Sequence, residues 1–291
     1  MNNITAKNKG ILFITISALS FSVMALFVKL SGDIPSIEKT FFRNLVSLIV
    51  AFILIVFHKE SFFGKKENQK YLLARSILGT LGIVANFYAI DNLVLSDSTM
   101  LNKLSPFFVI IFSYLFLKEK IKPTQVIALI IAFIGTLFII KPGFSSNIMP
   151  SLIGLSSAVF AGSAYTFVRF LGGREKYYTI VFYFSFVSIV SLLPFMIAIY
   201  KPLTLYQFAC LLGAGAFASI AQFSLTIAYK YAPASDISIF DYSQIIFSAL
   251  LSIIILKEIP DASSILGYLL IISAYGGIFI YNYRKGKISG A

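Results

Sequence analysis

Ten apolar stretches constrain this chain more than any motif in it, because most approach the ~20 residues that cross ~30 Å of hydrocarbon at ~1.5 Å per residue. They occupy residues 10–30, 41–57, 71–90, 98–117 and 125–140, then 152–171, 178–200, 208–229, 237–256 and 264–283. Of 291 residues, 58% are hydrophobic and 12% charged. A soluble protein of this length does not hide so much apolar surface, so the bilayer is the solvent. Little chain is left between the stretches for a soluble domain. The expected fold is an all-α membrane protein of ten transmembrane helices.

The chain also repeats itself. Residues 95–119 align without a gap on residues 234–258 at a constant offset of 139, with seven of 25 positions identical. The identities include the opening Ser-Asp and the closing Leu-Lys-Glu, and Phe27-Val28-Lys29 answers Phe167-Val168-Arg169 at an offset of 140. Two related halves with five helices each must lie in opposite orientations, an architecture suited to alternating access. The first repeat is expected over residues 1–142 and the second over 150–287. The turn-forming link 141–150, with Pro142, Gly143 and Pro150, lies between them.

Net charge is +12, and the placement of the charges explains it. With the N-terminus inside, fifteen Lys and Arg fall in cytoplasmic segments and four (Lys39, Lys141, Lys201, Lys257) in the opposite loops. That bias puts both termini in the cytoplasm of a multi-pass inner-membrane protein. The basic balance is therefore topological, and nucleic acid is not an expected partner; lipid is, and assembly as a homodimer stays open. Cys210 is the only cysteine, so no disulfide forms within the chain. The first stretch has no small-residue cleavage site after it and reads as a retained helix rather than a signal peptide. One His (His58) and one Cys leave no metal site, and no cofactor is expected. No nucleophile–base pair stands out, which argues against an intramembrane enzyme.

The pattern resembles the drug/metabolite transporter superfamily, specifically its EamA-type members. The resemblance rests on ten helices in two five-helix repeats, Phe42-Arg43-Asn44 early in the second helix, and Arg75 and Gly79 opening the third. Phe87-Tyr88-Ala89 closing the third, Pro106 in the fourth and the Leu117-Lys118-Glu119 and Leu256-Lys257-Glu258 endings complete it. It covers nearly the whole chain. Ile245 departs from it, standing where Pro106 stands in the first repeat, so a helix break needed in both halves is unmet in the second. The resemblance implies a central cavity lined by the first, third, fourth, sixth, eighth and ninth helices, and no particular substrate. It places Arg43 at the periphery.

An ionisable group deep in a membrane helix costs roughly 2.5–3.5 kcal/mol on insertion scales, and its retention points to a substrate pathway. Lys103 lies about six residues, ~9 Å, inside the fourth helix, and Asp241 about five residues, ~7.5 Å, inside the ninth from the opposite face. This leaves them roughly 13 Å apart along the membrane normal. Direct pairing is not expected; a substrate with both a carboxylate and an amine bridges them, or Asn102, Tyr242, Gln244 and water satisfy them locally. Asn86, Tyr88, Gln222 and Tyr165 are further candidates for a substrate-binding site. Arg75, one turn inside the third helix, attracts an anionic group or anchors to lipid phosphate. Asp97 and Asp236 read as helix caps, Glu119 and Glu258 as interfacial charges or gate contacts, and Lys29 and Arg169 as snorkelling groups. Clusters of small residues on the first, sixth and eighth helices serve close packing or leave room for a cavity. The expected function is a secondary transporter of a small zwitterionic or anionic metabolite, such as an amino acid or derivative. A passive channel, or an exporter of cationic or aromatic drugs and nucleotide-like metabolites, is the alternative.

Overall fold

The computed structural model describes residues 3–117, 123–141, 148–171, 174–231 and 238–288. Among them the chain is nearly all helix, with no β-strand. Helices α1 (Asn3–Leu30), α2 (Ser36–His58) and α3 (Gln69–Asn92) come first. Two short helices follow, α4 (Leu95–Asn102) and α5 (Ser105–Leu117), and then α6 (Pro123–Ile140). The second half contains α7 (Met149–Leu171), α8 (Tyr177–Ile199) and α9 (Leu205–Tyr231). A 3₁₀ turn at Ser238–Tyr242 leads into α10 (Ser243–Leu251), which a π turn at Ser252–Leu256 extends, and α11 (Ala262–Ile288) closes the order.

Among the described residues, seven helical segments are long and apolar enough to cross a membrane, and three shorter apolar ones accompany them: Val126–Ile140, Phe240–Leu256 and Ala262–Ala274. Helices suit this solvent because each N–H and C=O finds a partner within its own segment. Large side chains such as Ile127, Ile130 and Phe133 on α6 face outward, where lipid tails replace water. The apolar stretch 98–117, expected as one helix, is broken in two, and the break matters for the site below.

Helix α1 packs on α9, α3 on α7, α2 on α8 and α6 on α11. The small-residue clusters of α1 and α9 are contact surfaces here. Ser17, Ala18 and Ser22 of α1 and Ala214, Ala218 and Ala221 of α9 are fully buried, and Ser17 Oγ donates to the Ala221 carbonyl at 2.8 Å. Close approach replaces hydrophobic driving force where lipid is as apolar as leucine. Helices α6 and α11 cross closely through glycine. A Cβ on Gly135 would stand 2.9 Å from the Gly267 carbonyl oxygen, and one on Gly267 2.6 Å from that of Gly135.

Candidate substrate site at two broken helices

Pro106 has no N–H to give the Asn102 carbonyl, so a helix entering from α4 loses its ladder there. The chain answers with a tight turn: Leu104 N–H donates to the Leu101 carbonyl at 3.2 Å and Phe107 N–H to the Leu104 carbonyl at 2.9 Å. Lys103 caps α4 at that turn. The second half breaks at the aligned place without a proline, which corrects the sequence expectation. Residues 238–242 wind as 3₁₀ helix, and Ser243 Oγ donates to the Phe240 carbonyl at 2.6 Å. A side-chain bond of this kind competes with the helix ladder, as proline does by other means.

The two breaks face each other. Lys103 Nζ donates to Asp241 Oδ2 in an ion pair, and the Tyr242 hydroxyl donates to the Lys103 carbonyl at 3.2 Å. Direct pairing overturns the expected separation. That separation compared backbone levels along straight helices, whereas a lysine stem spans much of such a gap and a 3₁₀ turn rises faster, about 2 Å per residue. Asn102 holds the level, donating to Ser157 Oγ at 3.1 Å, and a Cβ on Gly162 would touch the Ser105 carbonyl at 2.9 Å. Ser157 and Gly162 bracket the middle of α7, so Lys103 stands near the centre of the bundle. The pair is incompletely satisfied: Asp241 Oδ1 is buried with no hydrogen-bond partner.

Two arginines share with Asp241 the electrostatic range of Tyr165 on α7. Arg43 of α2 and Arg75 of α3 are each 8% exposed. Arg43 Nη1 donates to Asn44 Oδ1 at 2.6 Å, and Asn44 Nδ2 donates to Ser188 Oγ at 2.6 Å. The Arg75 guanidinium stacks 3.7 Å from the centroid of the Phe184 ring, over Gly79, where a Cβ would meet Nη1 at 2.9 Å. Arg43 Nε and Arg75 Nε and Nη1 have no hydrogen-bond partner. Burying an ion costs several kcal/mol after relaxation, and a cation–π contact returns about 0.5–2 kcal/mol. The arrangement is therefore poised for an anion. Arg43 was expected at the periphery and Arg75 in part as a lipid anchor; burial excludes both readings.

The remaining candidates divide. Tyr165 of α7 lies within electrostatic range of Arg43, Arg75 and Asp241 and is 41% exposed. Asn86 Oδ1 is buried and unpartnered on α3. Gln244 is half-buried, its carbonyl accepting from Ser22 Oγ at 2.9 Å, and Gln222 is half-buried on α9. Tyr88 stands apart in an apolar groove of about 420 Å³ with Pro35, Leu81, Phe160 and Ile199. Asp97 is no cap: the N-cap is Val94 with no side-chain cap bond, and the Asp97 carboxylate accepts from the Tyr268 hydroxyl of α11. Asp236, Glu119 and the Arg169 side chain lie outside the described residues.

The sequence matches the EamA-like transporter family twice, over residues 8–141 and 148–280. The chain belongs to that family. It is 35% identical to the pseudopaline exporter CntI of Pseudomonas aeruginosa over 268 residues, 91% of this chain and 94% of that protein. It is 25% identical to human solute carrier family 35 member G1, covering 96% of this chain and 80% of the relative. One solved crystal structure, 16% identical, shares the fold with a TM-score of 0.65 over 94% of this chain and 98% of its own. The two relatives are named as an exporter and a solute carrier, and this chain carries the family's two units.

In this EamA-family chain, ion pairs tie the halves together at the end of the bundle where α1 finishes. Lys29 Nζ reaches Glu258 Oε2 at 2.7 Å and the Leu93 carbonyl at 2.5 Å, so it does not snorkel. The π turn at Ser252–Leu256 and the left-handed Lys257 aim Glu258 at it. Lys39, counted from sequence among loop charges, is fully buried in the first turn of α2 and pairs with Asp91 at 2.5 Å. Lys141 bonds Asp261, and Lys201 bonds Asp33 at 2.9 Å. Those lysines hold the Asp261 and Asp33 carboxyls below their ordinary range, chiefly through the hydrogen bonds they donate.

Proposed function

We propose that this protein is a secondary transporter that moves a small zwitterionic or anionic metabolite, such as an amino acid or derivative, across the cytoplasmic membrane by alternating access. Ten spans form two inverted five-helix repeats, 1–142 and 150–287, with both termini in the cytoplasm. α4 with α5 makes the fourth span, and the segment around α10 the ninth. The packing supports this reading, because exchanging the halves maps its main helix pairs onto one another. α1 on α9 becomes α7 on α3; α2 on α8 and α6 on α11 map onto themselves; α1 on α10 becomes α7 on α4 and α5.

The observation that carries the reading is the contact between Lys103 and residues 241–242. At the offset of 139, Lys103 is the counterpart of Tyr242 and Asn102 of Asp241. Symmetry mates that touch lie on the axis relating them, so the ion pair sits where the two repeats meet, as midplane sites of inverted-repeat transporters do. Export is the direction suggested by the name of the Pseudomonas relative. The Lys29–Glu258, Lys141–Asp261 and Lys201–Asp33 pairs then form the outer closure that the rocking halves must break. Reconstitution into liposomes tests the reading. Lys103→Ala and Asp241→Asn, correctly inserted and folded, are expected to abolish or redirect flux of a substrate the wild type carries; wild-type flux in both sinks the proposed site.

A further inference from the structure

We propose that Arg43, Arg75 and the Tyr165 hydroxyl form an anion subsite, and that the metabolite carried is an organic anion bearing two carboxylates. The proposal rests on the transporter reading and names its substrate class.

Three observations converge on it. First, both guanidinium groups are more than nine-tenths buried, and three of their donor nitrogens have no partner. Among the described residues, no carboxylate forms a salt bridge with either, and the acid within range of Tyr165, Asp241, is held by Lys103. A guanidinium fork in that condition matches a carboxylate, whose two oxygens accept its parallel N–H bonds. Second, both groups are held in place. Phe184 and Gly79 keep Arg75 flat, and Asn44, itself bonded to Ser188, fixes Arg43. Phe184 and Ser188 are one turn apart on α8, about 6 Å, and Ser188 is the middle residue of that helix. The two cations therefore flank one level near the bundle centre, with Tyr165 within electrostatic range of both. Third, the charges do not balance. Among the described residues, Arg43, Arg75 and Lys103 have one carboxylate in this group, Asp241, an excess of two positive charges that a dicarboxylate neutralises.

The test measures binding to the purified full-length protein. Thermal unfolding midpoints are recorded with glutarate, citrate and, at matched ionic strength, the monocarboxylate butyrate. Glutarate and citrate are expected to raise the midpoint and butyrate not. Arg75→Gln and Arg43→Gln are expected to weaken half-saturation by about 30-fold or more, as loss of one partner of a buried charge pair does. Their ligand-free midpoints are expected to stay level or rise, since each removes an uncompensated buried charge. Arg75→Lys keeps the charge without the fork and covers the case of a glutamine variant that fails to fold; it is expected to bind weakly. Equal shifts from butyrate and glutarate, or shifts that survive both glutamine substitutions, overturn the subsite. Flux in liposomes separates the two readings. Dicarboxylate binding with no flux keeps the subsite and sinks transport, whereas flux of an amine with no dicarboxylate response keeps transport and sinks the subsite.

Discussion

Replacing Lys103 by methionine preserves most of the side-chain volume and leaves Asp241 without its cation. The Lys103 and Asp241 side chains are 11% and 20% exposed. Breaking a buried pair costs 3–5 kcal/mol when one ion is stranded, whereas removing both ions is often neutral. Residual exposure puts this pair at the low end, about 3 kcal/mol. At roughly 2 °C per kcal/mol for a chain of this size, the midpoint falls by about 6 °C. The chain has no Trp, but Cys210 is its only cysteine and is 3% exposed, so a fluorogenic maleimide reports unfolding through that thiol. Lys103→Met is expected to lose about 6 °C, and Lys103→Met combined with Asp241→Asn to recover most of it while flux stays lost in both. A double variant no more stable than the single one, or a single variant within 1 °C of wild type, refutes the reasoning that the pair is a coupled buried unit.

Three other outcomes follow from the geometry. Glu258→Gln weakens the outer closure at Lys29, and maleimide labelling of Thr99→Cys in a Cys210→Ser background is expected to quicken; unchanged labelling removes that pair from the gate. Gly135→Ala forces a Cβ toward the Gly267 carbonyl oxygen, and overpacking of this kind costs about 1–3 kcal/mol, read as a lower midpoint; a neutral result means the α6–α11 crossing is looser than it stands here. Asp261 is held below its ordinary value by Lys141. The stabilisation is therefore complete above the unfolded value near ~3.9 and lost as pH falls through the lower folded value. The wild type is expected to lose more stability than Asp261→Asn on acidification below about pH 4, and parallel acid limbs contradict it.

Class and repeat were legible in the sequence because both are written in patterns that survive averaging: stretches of ~20 apolar residues, and a 25-residue alignment at one offset. Lys103 and Asp241 stood out in the sequence as candidate site residues because charge in lipid is costly, yet their pairing did not. It depends on a 3₁₀ turn in the second half that Ser243 and Phe240 make without a proline, and no helix-rise arithmetic contains that turn. The burial of Arg43 was not foreseen although it stands about ten ångström inside α2 by residue count, the same signal that flagged Lys103; the expected peripheral position of its helix outweighed it. Lys29 and Asp97 were misread for a common reason. Position on a helix says which partners the backbone offers, whereas their partners, Glu258 and Tyr268, come from the other half of the chain.

The repeat is kept in the backbone and broken in the charges. At the contact between halves the first repeat supplies Lys103 and the second supplies Tyr242 at the matching position, while Asn102 is matched by Asp241. Arg43 and Arg75 add two more cations from the first half, and the second half answers with Tyr165, Phe184 and Ser188, which are neutral. A symmetric scaffold lets the two closures, inner and outer, have nearly equal free energies, which alternating access requires because an equilibrium far to one side makes every cycle climb. In the proposed cycle the asymmetric charges would act separately, orienting a substrate with its carboxylates toward the first repeat. If that division holds, moving the charge should disturb substrate binding without damaging the rocking. The double exchange Lys103→Asp with Asp241→Lys restores the ion pair with its polarity turned. Its expected result is a stable, rocking protein whose labelling at Thr99→Cys matches that of wild type but whose affinity for dicarboxylates is lost.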